Sequence, residues 1–172
     1  INKSPNITVT KGSTANGHIG NYAVGIYNSG DTFTGTKLSN DKGYIVYTDD
    51  TEKILIGYRG EEKDLILPSY ITQINAYAFY KNDDFTSVTI HNNVTRIGNS
   101  AFDSCYNMTK VNYTGTIDDW VKIDFVGYRA NPIYYAKKLY INDVLVTEAN
   151  ITTATKISPY AFSDIDNLTS AI

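Results

Sequence analysis

Leu67-Pro68-Ser69-Tyr70-Ile71-Thr72-Gln73-Ile74-Asn75-Ala76-Tyr77-Ala78-Phe79 can be laid over Ile90-His91-Asn92-Asn93-Val94-Thr95-Arg96-Ile97-Gly98-Asn99-Ser100-Ala101-Phe102. Phe79 falls on Phe102, and the same shift puts Phe85 on Met108 and Val88 on Val111. Each copy carries an apolar residue, two or three polar ones, an Ile, and an Ala-Phe pair. A strand alternates every two residues and a helix every ~3.6, so neither alone spaces a motif this far apart. Self-similarity at a fixed period of this size marks a solenoid, in which one small unit stacks on the next.

A third copy lies near the end. Ile151, Ala154, Ile157, Ala161-Phe162, Leu168 and Ala171 repeat the register well beyond one further period after the second copy. A spacer, roughly Thr114 to Asn150, is therefore expected to be spliced between otherwise regular coils. Val88 and Ile90 flank Thr89, and Leu65 and Leu67 flank Ile66, the alternation of a short strand with one buried face. Stacking sets such strands parallel and sends Ile71, Ile74, Ala78 and Phe79 inward beside Val94, Ile97, Ala101 and Phe102. One coil cannot bury its own apolar face, so Phe79, Phe102 and Phe162 are expected to share one spine closed to water. The return from Ile97 to Met108 has room for a helical turn with Asn99 or Ser100 as N-cap. A period in the twenties is that of a leucine-rich-repeat solenoid with short parallel strands and irregular or short helical returns.

The unit Val94-Thr95-Arg96-Ile97 through Ala101-Phe102-Asp103-Ser104-Cys105-Tyr106-Asn107-Met108-Thr109-Lys110-Val111 resembles the BspA-type leucine-rich repeat of bacterial surface proteins. Thr116-Ile117-Asp118-Asp119-Trp120, Asn131-Pro132-Ile133-Tyr134-Tyr135 and Leu139-Tyr140-Ile141 are similar to an insert recurring among repeat proteins of gut Firmicutes. The resemblance covers about Tyr44 to Ile172. It departs at Asn82 and Ile165, where Cys is usual, and at Ala171, where Val is expected. It implies a framework and leaves activity open.

The remaining sequence divides into an N-terminal segment, residues 1–43, and a repeat domain, residues 44–172. The first is rich in Gly, Ser, Thr and Asn; Ile7-Thr8-Val9-Thr10 and Tyr22 to Tyr27 read as strands around a Gly12–Gly20 loop. It reads as the end of a preceding module or a cap. Tyr44 to Tyr47 and Ile54 to Tyr58 form a hairpin that covers the first coil, which requires Ile54 and Ile56 to be buried. Coils run from 65, the insert from 114 to 150, and an incomplete last coil from 151 to 172. Within the insert, Leu139 to Val146 reads as a second hairpin on an Asn142-Asp143 turn. Trp120, Ile123 and Phe125 read as cover for the side of the stack, with Trp120 a packing anchor.

A net charge of −3 and a pI near 5.3 argue against nucleic-acid binding. The single Cys105 excludes an internal disulfide and reads as a buried thiol in the stack. No apolar run is long enough to cross a membrane as a helix. Fifteen Tyr against six Phe and one Trp is a heavy bias, suited to sheet faces and to recognition surfaces alike.

Enzyme signatures are missing: no Gly-x-Ser-x-Gly elbow, no phosphate-cradling loop, no His-Glu-x-x-His. His91 reads as an exposed turn residue and His18 as part of a Gly-rich loop. Asp49-Asp50, Asp83-Asp84 and Asp118-Asp119 read as solvated turn acids rather than paired catalytic carboxyls. Asp164-Ile165-Asp166-Asn167 lacks the Gly and closing Glu of a calcium loop. No catalytic residue, cofactor or metal site is expected.

The expected function is an extracellular, cell-surface binding module, adhering to host or microbial proteins or glycans. The alternative is a structural spacer within a larger surface protein, without a ligand of its own. Outward residues on successive strands are the candidate contacts: Ser87, Thr89, Lys110, Asn112 and Ser170. The last coil reads as uncapped, so further repeats or another domain are expected to follow in the parent protein; if Ile172 is the true terminus, self-association through that end is expected instead.

Overall fold

The structure is a computed structural model that describes residues 10–11, 18–19, 22–23, 38–49 and 51–172, with backbone alone at 10–11, 18–19, 22–23 and 49. Among the described residues sixteen short strands follow one another. β1 (Thr10–Lys11), β2 (His18–Ile19), β3 (Tyr22–Ala23), β4 (Leu38–Asp41), β5 (Tyr44–Asp49), β6 (Glu52–Tyr58), β7 (Asp64–Ile66) and β8 (Gln73–Ile74) come first. Then come β9 (Ser87–His91), β10 (Arg96–Ile97), β11 (Lys110–Thr114), α1 (Ile117–Trp120), β12 (Asp124–Phe125), α2 (Ile133–Ala136), β13 (Leu139–Ile141), β14 (Val144–Leu145), β15 (Glu148–Ala149) and β16 (Ser170–Ala171). β1–β3 form a small antiparallel sheet of their own, and the strands from β4 onward belong to a β-solenoid of about five turns.

Two sheets form its walls. One runs β12-β10-β8-β6-β5-β4, parallel from β12 to β6 and then antiparallel through β5 and β4. The other runs β14-β13-β11-β9-β7, parallel except for the β13–β14 hairpin. The shift between the sequence copies is the ladder register itself: Ile97 lies opposite Ile74, and Val111 opposite Val88. Threonine recurs where one coil hands its backbone to the next. Thr86 N–H donates to Lys63 O, Thr109 N–H to Thr86 O, and Thr169 N–H to Thr147 O, at 2.7 to 2.8 Å. Each of these hydroxyls also donates to the same carbonyl.

The interior is the expected apolar set. Ile71, Ile74, Ala78, Phe79, Val94, Ile97, Ala101 and Phe102 are all buried, with Leu65, Leu67, Phe85, Val88, Ile90, Met108 and Val111. Phe79 and Phe102 stack at 4.8 Å. Ile54 and Ile56 are buried, as a covering hairpin requires. At that end Tyr58 reaches Phe79 at 6.4 Å and Tyr44 lies 4.6 Å from Tyr58, so tyrosine rings close the spine. Gly98 lies so close to the preceding coil that a Cβ there would sit 2.3 Å from Ala76 N.

Several expectations are corrected. The 114–150 segment does not interrupt the stack: β12 pairs in parallel with β10 and β13 with β11, so the segment is itself a winding. Trp120, Ile123 and Phe125 lie inside it rather than along its side, and Trp120 Nε1–H donates to Ala161 O at 2.8 Å. Phe162 packs against the shared core but is only half-buried. Ile157 on the same coil is 50% exposed. The return from Ile97 to Met108 forms successive turns, in keeping with an irregular return, without an N-cap at Asn99 or Ser100. Left-handed residues at Ser100 and Ser104 set them, and Tyr77 and Lys81 and then Tyr160 and Asp164 repeat that geometry at the matching positions. Asn142 and Asp143, at φ 49° and 65°, make the expected positive-φ hairpin turn. In the N-terminal segment His18 lies in β2, paired with β3, rather than in a loop. Of the two strands expected there, Thr10 and Tyr22–Ala23 are described as strand; 7–9 and 24–27 lie outside the described residues.

Candidate binding surface

Two of the outward surfaces bear on binding: the second sheet, and the returns between sheets. On the sheet, ladder register sets Asp64, Ser87 and Lys110 in one row and Ile66, Thr89, Asn112 and Tyr140 in the next. Four of the five candidate contacts are thus brought together. Ser170 stands apart, on the parallel pair β15–β16, half-buried. Most of the row is already engaged. Ser87 Oγ–H donates to Asp64 at 2.6 Å, and Lys110 Nζ pairs with Asp143 at 2.9 Å while lying 4.8 Å above the Tyr140 ring. Asn112 corrects its expectation: it lies on the outward face yet is 5% exposed, because the hairpin turn folds back and Asp143 N–H donates to its Oδ1. Thr89 remains half-exposed and Ile66 is 64% exposed.

The returns carry a feature that the sequence reading passed over. Tyr106, Tyr135, Tyr134 and Tyr128 form a continuous chain of edge-to-face rings, with centroids 5.5, 4.9 and 5.3 Å apart. Tyr106 is 69% exposed and Tyr128 is also exposed. A buried carboxylate anchors the group: Asp103 accepts from Tyr135 OH at 2.8 Å and pairs with Arg129 at 3.0 Å. Burial alone would hinder Asp103 from ionising; the Tyr135 and Arg129 contacts outweigh it and hold the carboxyl below its ordinary value. Burial, with the Asp103 charge adding to it, pushes the Tyr135 phenol up to about 12. On the coil before, Tyr77 and Tyr80 form another exposed edge-to-face pair at 5.5 Å.

Several titratable groups singled out in the sequence make local structural bonds. Asp118 is buried, not solvated: its carboxylate accepts the N–H groups of Thr152, Thr153 and Ala154 at 2.6 to 3.1 Å. Bonds from Thr153 and Ala154 to the charged form hold it well below the usual carboxylate range. Asp119 forms a capping box with Thr116 at the start of α1, so it too has a local task. Asp83 and Asp84 are exposed, and Asp83 accepts the Tyr106 N–H. Asp50 lies outside the described residues. His91 is no exposed turn residue; it ends β9, half-buried, its Nδ1 2.8 Å from Thr114 Oγ1. Cys105 is fully buried, its thiol donates to Phe79 O at 3.0 Å, and burial pushes it up to about 12. Among the described residues no three His, Cys, Asp or Glu side chains cluster as metal ligands, and no helix is long and apolar enough to cross a membrane.

Residues 59–130 match the family described as the BspA type leucine rich repeat region, six copies. Among solved structures, a leucine rich cell surface protein from Faecalibacterium prausnitzii A2-165 is similar at 18% identity and a TM-score of 0.53, over 78% of this chain and 42% of that one. The chain thus spans less than half of that protein. A leucine-rich repeat protein from Bacteroides capillosus ATCC 29799 is similar at 15% identity and a TM-score of 0.46, over 78% of this chain and 98% of the other. No curated protein matches the chain. At 18% identity the likeness to the first of these is one of fold.

Proposed function

Because residues 59–130 form a BspA-type leucine-rich-repeat region, we propose that the protein is an extracellular, cell-surface binding module that adheres to host or microbial proteins or glycans. The observation that carries this reading is the exposed tyrosine chain on the returns. Rigid aromatic rings that remain in water form an unspent contact surface, and few side-chain rotamers need to be frozen on binding. Open solenoid surfaces engage extended partners by additive contacts rather than by enclosing a small molecule. The module binds without turnover.

One observation favours a spacer role instead. The polar side chains of the outward sheet are largely paired with one another, which closes that face to a ligand. The purified chain on an array of extracellular proteins and glycans separates the two readings. Retention of one ligand class supports adhesion; silence across the array supports the spacer. Self-association belongs to the proposal as well, since Ile157 and Ile172 expose 50% and 84% of their surface at the last coil. Light scattering at high concentration should show dimers, and a monomer there contradicts this part.

A further inference from the structure

We propose that the tyrosine-bearing returns bind a neutral polysaccharide, laid along the stack axis so that successive sugars meet successive coils. The inference rests on the adhesion reading and narrows its ligand to one class.

The first support is continuity. Backbone bonds join the return of Tyr77 to Lys81 to that of Asn99 to Asp103: Tyr77 N–H donates to Asn99 O and Lys81 N–H to Asp103 O. Asp103 then holds Arg129 and Tyr135 of the next winding, and Asn131 Nδ2–H donates to Tyr160 O of the last. The returns therefore lie side by side, and each carries at least one exposed tyrosine: Tyr77 and Tyr80, then Tyr106, then Tyr128, then Tyr160. Parallel strands stack about 4.8 Å apart. That step is close to the length of one pyranose unit in an extended chain, so a polymer gains one ring per coil where a single sugar gains one in all.

Charge supplies the second support. Two of the three cations against these rings are partnered by acids, Arg129 with Asp103 and Lys137 with Asp164 at 3.5 Å, while Lys81 lies 5.2 Å from the Tyr80 ring. A polyanion therefore finds little unbalanced positive charge here. Surface chemistry supplies the third. Protein interfaces have a desolvated, apolar core, whereas no exposed aliphatic side chain among the described residues lies on the returns of Tyr77, Tyr106 or Tyr128: Ile66 and Val144 are on the sheet, and Ile157 and Ile172 on the last coil. Near Tyr106 stand Ser104, whose Oγ accepts its hydroxyl at 3.3 Å, and Asn107. Flat rings bordered by hydrogen-bonding groups suit a ligand that is itself amphipathic in the same way, with an apolar C–H face and a hydroxyl rim.

The test is affinity gel electrophoresis of the full chain in mixed-linkage β-glucan, xylan, mannan or amylose, with polygalacturonate as the anionic comparison and extracellular matrix protein on a plate as the protein arm. Retardation by at least one neutral polymer, unchanged by added salt and stronger for longer oligosaccharides, is expected. Tyr106→Ala and Tyr128→Ala should each weaken it roughly tenfold with circular dichroism unchanged. Tyr135→Phe, which keeps the ring and frees it from Asp103, should weaken it less. The combined Ser87→Ala, Thr89→Ala, Lys110→Ala variant should bind as the parent does. Retention only by polygalacturonate, or loss through the sheet variant and not the tyrosines, overturns the proposal. Protein binding without any polysaccharide retardation overturns it and leaves the adhesion reading standing; silence in both arms ends both.

Discussion

β10 lies between two neighbours of unlike sequence. On one side β8 pairs with it in the regular repeat and shares its Thr-x-Ile, Thr72 and Ile74 against Thr95 and Ile97. On the other side β12 pairs with it after a longer stretch of chain, and Ile123-Asp124-Phe125 has no threonine and an aromatic ring in place of isoleucine. The backbone treats the two alike. Thr95 N–H donates to Thr72 O, and Asp124 N–H to Thr95 O, both at 2.9 Å. The same longer spacing recurs on the other wall, where Leu139 lies opposite Val111. A place in the stack is therefore won by an edge strand offering its ladder groups and one inward side chain of sufficient volume. The repeat signature is one way of meeting those terms, and the 114–150 winding is another.

The last coil shows what happens when the terms are met only in part. The short ladder β15–β16 holds it, along with backbone bonds from Ser158, Asp166 and Thr169 and side chains of the winding before: Asp118 on the amides of 152–154, Trp120 on Ala161, and Asn131 on Tyr160. Ala161 is buried there, while Ile151, Ala154, Phe162, Ile165 and Leu168 are only partly so.

The sharpest break of the comparison is a pair of matched truncations. Phe102→Ala and Phe125→Ala should each cost about 3–5 kcal/mol in chemical denaturation, since both rings are buried in the same core. A spacer lying outside the stack would make the second nearly neutral. Next comes Gly98→Ala, which thrusts a methyl against the Ala76 backbone and should destabilise by about 1–3 kcal/mol, read as a lower midpoint with the same slope.

Asp118→Ala acts locally. Amide exchange should speed up at 152–154 and stay unchanged from Leu65 to Asn112. Acid should do the same. The carboxyl is held below its ordinary value of 3.8, so its contribution is complete above that pH and fades as pH falls through the folded value. The protection of 152–154, exchange relative to the intrinsic rate at each pH, should therefore fall only below pH 3.8; loss of protection on the alkaline side would contradict the assignment. Lys110→Ala removes an exposed pair and should change stability by about 0–1 kcal/mol, as expected of an outward face that adds little to folding.

How legible this is in the sequence follows from the same comparison. The regular coils are readable because Ile74 and Ile97, or Phe79 and Phe102, fill the same interior position and so keep the same kind of side chain. The winding from Thr114 to Asn150 is not, because its register comes from backbone pairing and its interior is filled by Trp120, Phe125 and Leu139 at different intervals. Alternation at Leu139-Tyr140-Ile141, matching Val111-Asn112-Tyr113, is the signal available. The outward strand residues are placed correctly by period two. That Asn112 is covered depends on a hairpin turn 31 residues later, which no local pattern announces. The tyrosine excess is visible in composition. Its gathering into one surface needs Tyr106 to meet Tyr135 across two coils, and irregular returns have no period from which to read that meeting.

The account turns on the 114–150 segment being a winding of the stack. Arg96 and Asp124 are opposite one another in the β10–β12 ladder, both exposed, with Arg96 Nη1 bonded to Asp124 Oδ2. Neighbouring strands bring Cα atoms about 5 Å apart, within the reach of a disulfide. In the double variant Arg96→Cys, Asp124→Cys, mild oxidation followed by intact mass and peptide mapping should show an intramolecular bridge in a monomer, with Cys105 still reduced. Two free thiols at those positions, or bridges only between molecules, would place the segment elsewhere and contradict the fold described.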